Sequence, residues 1–211
     1  MSDARAERAA AQRTETRAGL LAAALRVFAR KGYHATSISD LVAEASVARG
    51  TFYLHFESKN QVFLALLDSL ATAFPTSLRG ADTGPDAAPL HAQLVDIVER
   101  LLRATAANRA VAAILFREAF VLDADVQARV RQFEDALHAW LTRSLTNGQR
   151  LGWLAPHTPD IVATALFGMV RNAIDRYVVS EPERDVDLHA IADALVGFAL
   201  RGLDPRTTEA R

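Results

Sequence analysis

The sequence is 211 residues long, half of it hydrophobic, with a formal net charge of −1 and no cysteine. That length and apolar content support a folded core and argue against wholesale disorder, and the missing cysteines remove disulfides, thiolate zinc sites and cysteine nucleophiles together. The first thirty residues carry arginines and acids without the apolar stretch of a signal peptide, and no apolar run approaches the roughly 18–20 residues that span a bilayer, so a cytoplasmic protein with no membrane partner is expected. Residues 1–60 hold nine Lys/Arg against six Asp/Glu, and residues 61–211 hold fifteen against nineteen. Solvated faces explain so small a skew as well as a DNA-facing head on an acidic body does.

Apolar residues recur at helical spacing and never alternate over a strand length, so an all-α chain is expected. Residues 1–12, rich in Ala and Arg with no apolar partner, read as a flexible arm. A first helix over Thr14–Lys31 places Leu21, Leu25 and Phe28 on one face, and Gly32 stops it just after Arg30 and Lys31. Thr36 or Ser37 then caps a short helix, with Asp40 placed to answer Ser37 as a short-armed capping box. Ile38, Leu41, Val42 and Ala45 form the buried face of that helix. Ser46 breaks it, Val47 plugs the turn, and a second helix starts near Arg49, held to the core by Phe52 and Phe56. Two short helices joined by a tight turn make a helix-turn-helix over residues 37–56.

The second helix points Arg49, Gly50, Thr51, Tyr53, Leu54 and His55 outward. Arg49 has the fork that matches guanine O6 and N7. Gly50 lets another backbone come close. Thr51, Tyr53 and His55 can donate to phosphates, which sets register without reading sequence. Lys59, at the start of the next helix, is placed for a phosphate. The plainer alternatives are that Tyr53 covers the core edge, that His55 and Arg49 are solvated, and that Leu54 packs against a helix instead of a thymine methyl.

A loop follows over residues 80–88 (Gly80, Asp82, Thr83, Gly84, Pro85, Asp86). Asp123 opens a long helix carrying Val126, Val130, Phe133, Leu137 and Leu141, which runs to about Leu151 with Gly152 able to end it. Thr158, Pro159 and Asp160 supply an N-cap, a first-turn proline and an early acid for a helix over 158–180. Asp185 opens the last helix, which ends near Gly202, and a loose tail over 205–211 follows. The last two helices are apolar on more than one face. Ile161, Leu166, Val170 and Ile174 of one, with Leu188, Ile191, Leu195 and Phe198 of the other, suit a four-helix homodimer interface. Burial of both faces within one chain is the alternative. The middle helices concentrate Phe116, Phe120, Phe133, Trp140 and Phe167, with His91 and His138 among them. Aromatics at this spacing serve as plain core as readily as they line a pocket. The six histidines show neither i, i+4 pairing nor HExxH, so no metal is expected. No catalytic triad spacing, phosphate loop or dinucleotide fingerprint is present, so neither an enzyme nor a bound cofactor is expected.

The run Gly50-Thr-Phe-Tyr-Leu-His-Phe-Glu-Ser-Lys59, followed by Val62, Phe63 and Leu67 and preceded by Phe28-Ala-Arg-Lys-Gly32-Tyr33, resembles the signature of the TetR family of transcriptional regulators over about residues 14–74. The resemblance implies a nine-helix all-α architecture, with a three-helix DNA-binding head over 13–60 and an effector-binding and dimerisation body over 61–204. It implies DNA contacts at Thr36, Ser37, Arg49, Gly50, Thr51, Tyr53, Leu54, His55 and Lys59. It further implies an unidentified small-molecule effector among the middle helices, where His91, Phe116, Phe120, Phe133, His138, Trp140 and Phe167 are the candidate lining. The implied function is a ligand-responsive repressor that binds a palindromic double-stranded operator as a homodimer; an activator would share the fold. One departure is Ser46, where the family usually has glycine. Serine must accept a left-handed backbone there, at a cost of about 1 kcal/mol.

Overall fold

Runs of Ala, Leu, Arg and Glu, all strong helix formers, dominate the chain, and its computed structural model is correspondingly helical, with no strand among the described residues. Those residues are 2–77, 82, 84, 86–117, 123–155, 157–180 and 186–204. The helices are α1 (Ser2–Lys31), α2 (Ile38–Ala45), α3 (Arg49–Tyr53), α4 (Lys59–Ser77), α5 (Leu90–Ala107), α6 (Arg109–Arg117), α7 (Ala124–Arg150), α8 (Pro159–Ile174) and α9 (Leu188–Gly202). Two compact units result, one of Met1–Ser69 with Asn108–Gln127, the other of Leu70–Ala107 with Ala128–Arg211.

In the first unit, α1 supplies Leu20, Ala23, Ala24, Val27 and Phe28 to the core. Gly32 ends α1 with φ 74°, and its N–H donates to Phe28 O at 2.9 Å. Tyr33 then turns inward, its ring 5.5 Å from Phe28 and 5.4 Å from Phe63 of α4. Val62, Phe63, Leu66 and Leu67 are all buried, so the boundary expected at residue 60 falls inside a helix whose first half belongs to this unit. The unit also takes in α6, which packs along α1 and buries Val111, Ala112, Ile114 and Leu115. Tyr33 Oη donates to Asn60 Oδ1, and Asn60 Nδ2 donates to Asp123 Oδ2 just before α7. Residues 2–12, expected as a flexible arm, instead continue α1 as helix. Their Ala, Arg, Gln and Glu residues carry helix propensity without needing an apolar face, and no proline or glycine interrupts them.

In the second unit, α5 and α9 make the most extensive helix pair. Val95, Ile97 and Leu102 of α5 and Ala192 and Val196 of α9 are buried. The end of α7 follows the sequence expectation. Gly152 adopts φ 74°, its N–H donates to Gln149 O at 2.9 Å, and Trp153 N–H donates to Gly148 O at 3.0 Å, the two bonds of a Schellman cap. The helix expected over 158–180 is divided: α8 ends at Ile174 and a π-helical turn, Asp175–Val179, follows. Its wider turn buries the adjacent pair Val178 and Val179. Asp187, not Asp185, caps α9, accepting from Ala190 N at 3.1 Å. Asp185, Gly80, Thr83, Pro85 and the tail over 205–211 lie outside the described residues. Asp82, Gly84 and Asp86 lie in irregular chain, as expected of a loop.

Candidate nucleic-acid interface

Ser37 caps α2 from an extended backbone, its Oγ accepting from Asp40 N at 3.2 Å while its own N–H donates to Asp40 Oδ2 at 2.9 Å. The expected capping box is therefore complete. Lys31 Nζ donates to Asp40 Oδ1 at 2.6 Å. The Lys31 ammonium, with the Ser37 N–H, holds the Asp40 carboxyl well below the usual carboxylate range. Further along α2, Glu44 receives Arg30 at 2.5 Å and Arg26 at 2.6 Å. These two guanidiniums, Arg30 foremost, lower its pKa. Three cations of α1 thus clasp two acids of α2. In the sequence this clasp shows only as the i, i+4 spacing of Arg26 and Arg30 on one helix face.

At the turn, Ser46 takes the left-handed conformation with φ 54°. Its N–H donates to Ala43 O at 3.2 Å, and Val47 N–H donates to Val42 O at 3.1 Å. Val47 is half-buried, as are Ile38, Val42 and Ala45, and Leu41 alone in α2 is fully buried. The short helix α3 hangs on two aromatics: Phe52 is completely buried and Phe56 nearly so, with ring centroids 6.0 Å apart. The Arg17 guanidinium lies 5.0 Å from the Phe56 ring centroid and covers its outer side.

This leaves one face of α3 and its C-terminal turn to solvent. Arg49 and Gly50 are exposed, Thr51 and His55 partly so, and Tyr53 and Leu54 are 47% and 78% exposed. Arg49 reaches Tyr53 Oη at 3.4 Å and lies 5.9 Å from its ring centroid, so the two side chains line up along the helix. A Cβ added to Gly50 would meet nothing within 4 Å. Internal packing therefore does not require glycine there, and close approach from outside does fit it.

Two of the nine expected contact residues are differently employed. Thr36 is buried, 3% exposed, and its Oγ1 donates to Gly32 O at 2.7 Å. Lys59 directs Nζ at three carbonyls, Tyr33 O at 2.6 Å, Thr36 O at 2.8 Å and His34 O at 3.3 Å, and lies 4.4 Å from the Tyr33 ring centroid. An ammonium has three N–H donors, so these bonds tie α4 to the α1–α2 turn and leave no donor free for a phosphate. Ser37 is exposed, but its hydroxyl is engaged with Asp40.

The candidate body residues divide as well. Phe116 lies on α6 in the first unit, half-buried, and Phe120 lies outside the described residues. Phe133, His138, Trp140 and Phe167 are half-buried in the second unit. His138 Nε2 is 3.0 Å from Thr164 Oγ1. His91 is exposed on α5, 3.6 Å from Asp193 Oδ1 of α9. Among the expected interface residues, Ile161 and Phe198 are 66% and 67% exposed, and Leu166, Val170, Leu188, Ile191 and Leu195 are half-buried. Ile174 departs from the set: it is 6% exposed, drawn into its own unit where the helix passes into the π turn. Among the described residues, no helix is long and apolar enough to cross a membrane.

Two family models match the chain. Residues 20–66 match "Bacterial regulatory proteins, tetR family", and residues 87–203 match "Tetracyclin repressor-like, C-terminal domain". The probable HTH-type transcriptional regulator ArpR of Pseudomonas putida is 30% identical over 172 residues, 78% of this chain and 81% of that protein. The HTH-type transcriptional activator FasR of Mycolicibacterium smegmatis is 27% identical over 197 residues, 90% of this chain and 84% of its own. A crystal structure of AibR in complex with isovaleryl coenzyme A and operator DNA superposes with a TM-score of 0.67 at 21% identity, covering 90% of this chain and 98% of that one.

Proposed function

The chain belongs to the TetR family of transcriptional regulators, and on that premise we propose that it acts in the cytoplasm as a ligand-responsive repressor, bound as a homodimer to a near-palindromic operator. The observation that carries this reading is the solvent-facing row Arg49, Gly50, Thr51, Tyr53, Leu54 and His55 on a helix whose opposite side is anchored by Phe52 and Phe56. Two such helices related by a twofold axis enter successive major grooves about 34–36 Å apart. Exposed Ile161 and Phe198 support α8 and α9 as the dimer surface. AibR, with its bound isovaleryl coenzyme A, supports a small-molecule effector here, with the half-buried aromatics of the second unit as candidate contacts. Such an effector releases DNA only by its differential affinity for the two conformations of the dimer.

Arg49→Ala tests the reading. It is expected to weaken operator binding by about 1–3 kcal/mol and to relax preference at one base position. Full affinity with unchanged preference would remove Arg49 from base reading. The name of FasR favours a second reading, an activator on the same fold. Deleting the gene and following a reporter on its operator separates them: expression rises for a repressor and falls for an activator.

A further inference from the structure

Residues 5–15 of α1 have no packing role in the first unit. All are exposed, and the first buried residue after them is Leu20. Its cations also differ from those at the other end. Arg26, Arg30 and Lys31 are all spent on Glu44 and Asp40, whereas Arg5, Arg8 and Arg13 have no ion-pair partner among the described residues. Helical spacing sorts these arginines. At about 100° per residue, Arg5, Arg13 and Arg17 fall within about 70° of the direction in which Leu20, Ala24 and Val27 face the core. Ala6 and Ala9 lie between them. Arg8, Glu7 and Glu15 fall more than about 120° away. The buried face of α1 thus continues beyond the core as a stripe of arginine and alanine. Its inner end is fixed, since Arg17 covers the ring of Phe56, three residues past the end of α3. Arg13 and Arg5 lie about 6 Å and 18 Å further out along the helix axis at 1.5 Å per residue.

We propose that this stripe is a second nucleic-acid contact, in which Arg13 and Arg5 bind phosphates of the duplex backbone flanking the groove that α3 enters. The inference rests on the DNA-binding reading of α3. Guanidinium forks match phosphate oxygens, and alanines between them let a sugar-phosphate strand approach the helix. The stripe adds affinity without sequence information. Each phosphate neutralised steepens the dependence of log affinity on log salt by about 0.9.

The test measures binding of the full chain to a mixed-sequence 30-base-pair duplex between 50 and 200 mM salt. R5A/R13A keeps helix-forming residues throughout, and circular dichroism checks its fold. Its salt slope is expected to be shallower by about 1.8 per bound protomer, so that it loses roughly tenfold less affinity than the parent over that range. R8A, on the far face, is expected to leave the slope unchanged. An unchanged slope in R5A/R13A overturns the proposal, and so does an R8A effect equal to that of one stripe arginine, which would mean diffuse charge instead of a contact. A parent chain without salt-dependent DNA affinity would instead defeat the DNA-binding reading itself.

Discussion

Ser46→Gly isolates the one strained backbone position in the helix-turn-helix. Ser46 is the only non-glycine residue with positive φ among the described residues, at 54°. A Cβ there meets the following carbonyl oxygen and costs roughly 1–2 kcal/mol. Glycine removes that clash but gives back roughly 0.5–1 kcal/mol through the greater freedom of the unfolded chain. The Ser46 side chain is exposed and makes no hydrogen bond among the described residues, so its loss has no other consequence. The backbone bonds Ser46 N to Ala43 O and Val47 N to Val42 O are available to glycine unchanged. The net expectation is a gain of about 0.5–1 kcal/mol, read as a higher urea midpoint at unchanged m-value. Ser46→Ala keeps the Cβ and should gain nothing. A midpoint for S46G at or below the parent's, or an equal gain from S46A, would refute the strain argument.

Three further substitutions probe other parts of the fold. Lys59→Met takes the ammonium away from the carbonyls of Tyr33, His34 and Thr36, of which Tyr33 O keeps the N–H of Thr36, so the first unit should lose about 1–3 kcal/mol; denaturant melts check this. The salt slope of DNA binding should stay at the parent value, whereas loss of a phosphate contact would flatten it by about 1. Phe198→Asp places a charge in the proposed dimer surface and should shift sedimentation from dimer to monomer; a variant that remains dimeric would move the interface elsewhere. His189→Asn breaks the 2.7 Å pair of α9 with Glu99 of α5, a carboxylate that also holds Arg103. Glu99 raises the folded pKa of His189 above its ordinary 6.5, with Asp187 and Asp193 adding smaller contributions. That contribution is therefore full below the ordinary histidine range and fades as pH rises through the raised value. Parent and variant should differ in thermal stability near pH 5.5 and converge near pH 9; a constant difference would show that the histidine acts through packing alone.

The parts of this architecture that were legible in the sequence were those written in local chemistry. Ser37 and Asp40 three apart announce a capping box, Phe52 and Phe56 four apart announce an anchored turn of helix, and Gly152 announces the end of α7. Each is satisfied within one turn of its own helix, so the residues carry their own context. The exceptions depend on what lies across the fold. Lys59 follows α3 closely enough to resemble a phosphate ligand, yet its ammonium is held by the carbonyls of residues 33, 34 and 36. Thr36 and Ser37 are equivalent cap candidates in sequence, and only the fold makes Ser37 the cap and buries Thr36 with its Oγ1 donating to Gly32 O. The π turn after Ile174 leaves no trace in apolar periodicity, because a helix and a helix with one widened turn share nearly the same spacing. Asp185 and Asp187 both satisfy the cap rule, and the accepted bond from Ala190 N selects the second. The extent of α1 is not legible in apolar periodicity, because a helical segment of high intrinsic propensity needs no apolar face to mark it.

The most direct test of the DNA-reading claim is selection of binding sites from random double-stranded DNA by the purified chain. The expected result is enrichment of a near-palindrome whose half-sites lie about one helical turn, 10–10.5 base pairs, or a multiple of it apart, with Arg49→Ala degenerate at one position of each half-site. A pool that shows no enriched sequence after repeated rounds, at salt low enough for binding, would contradict it.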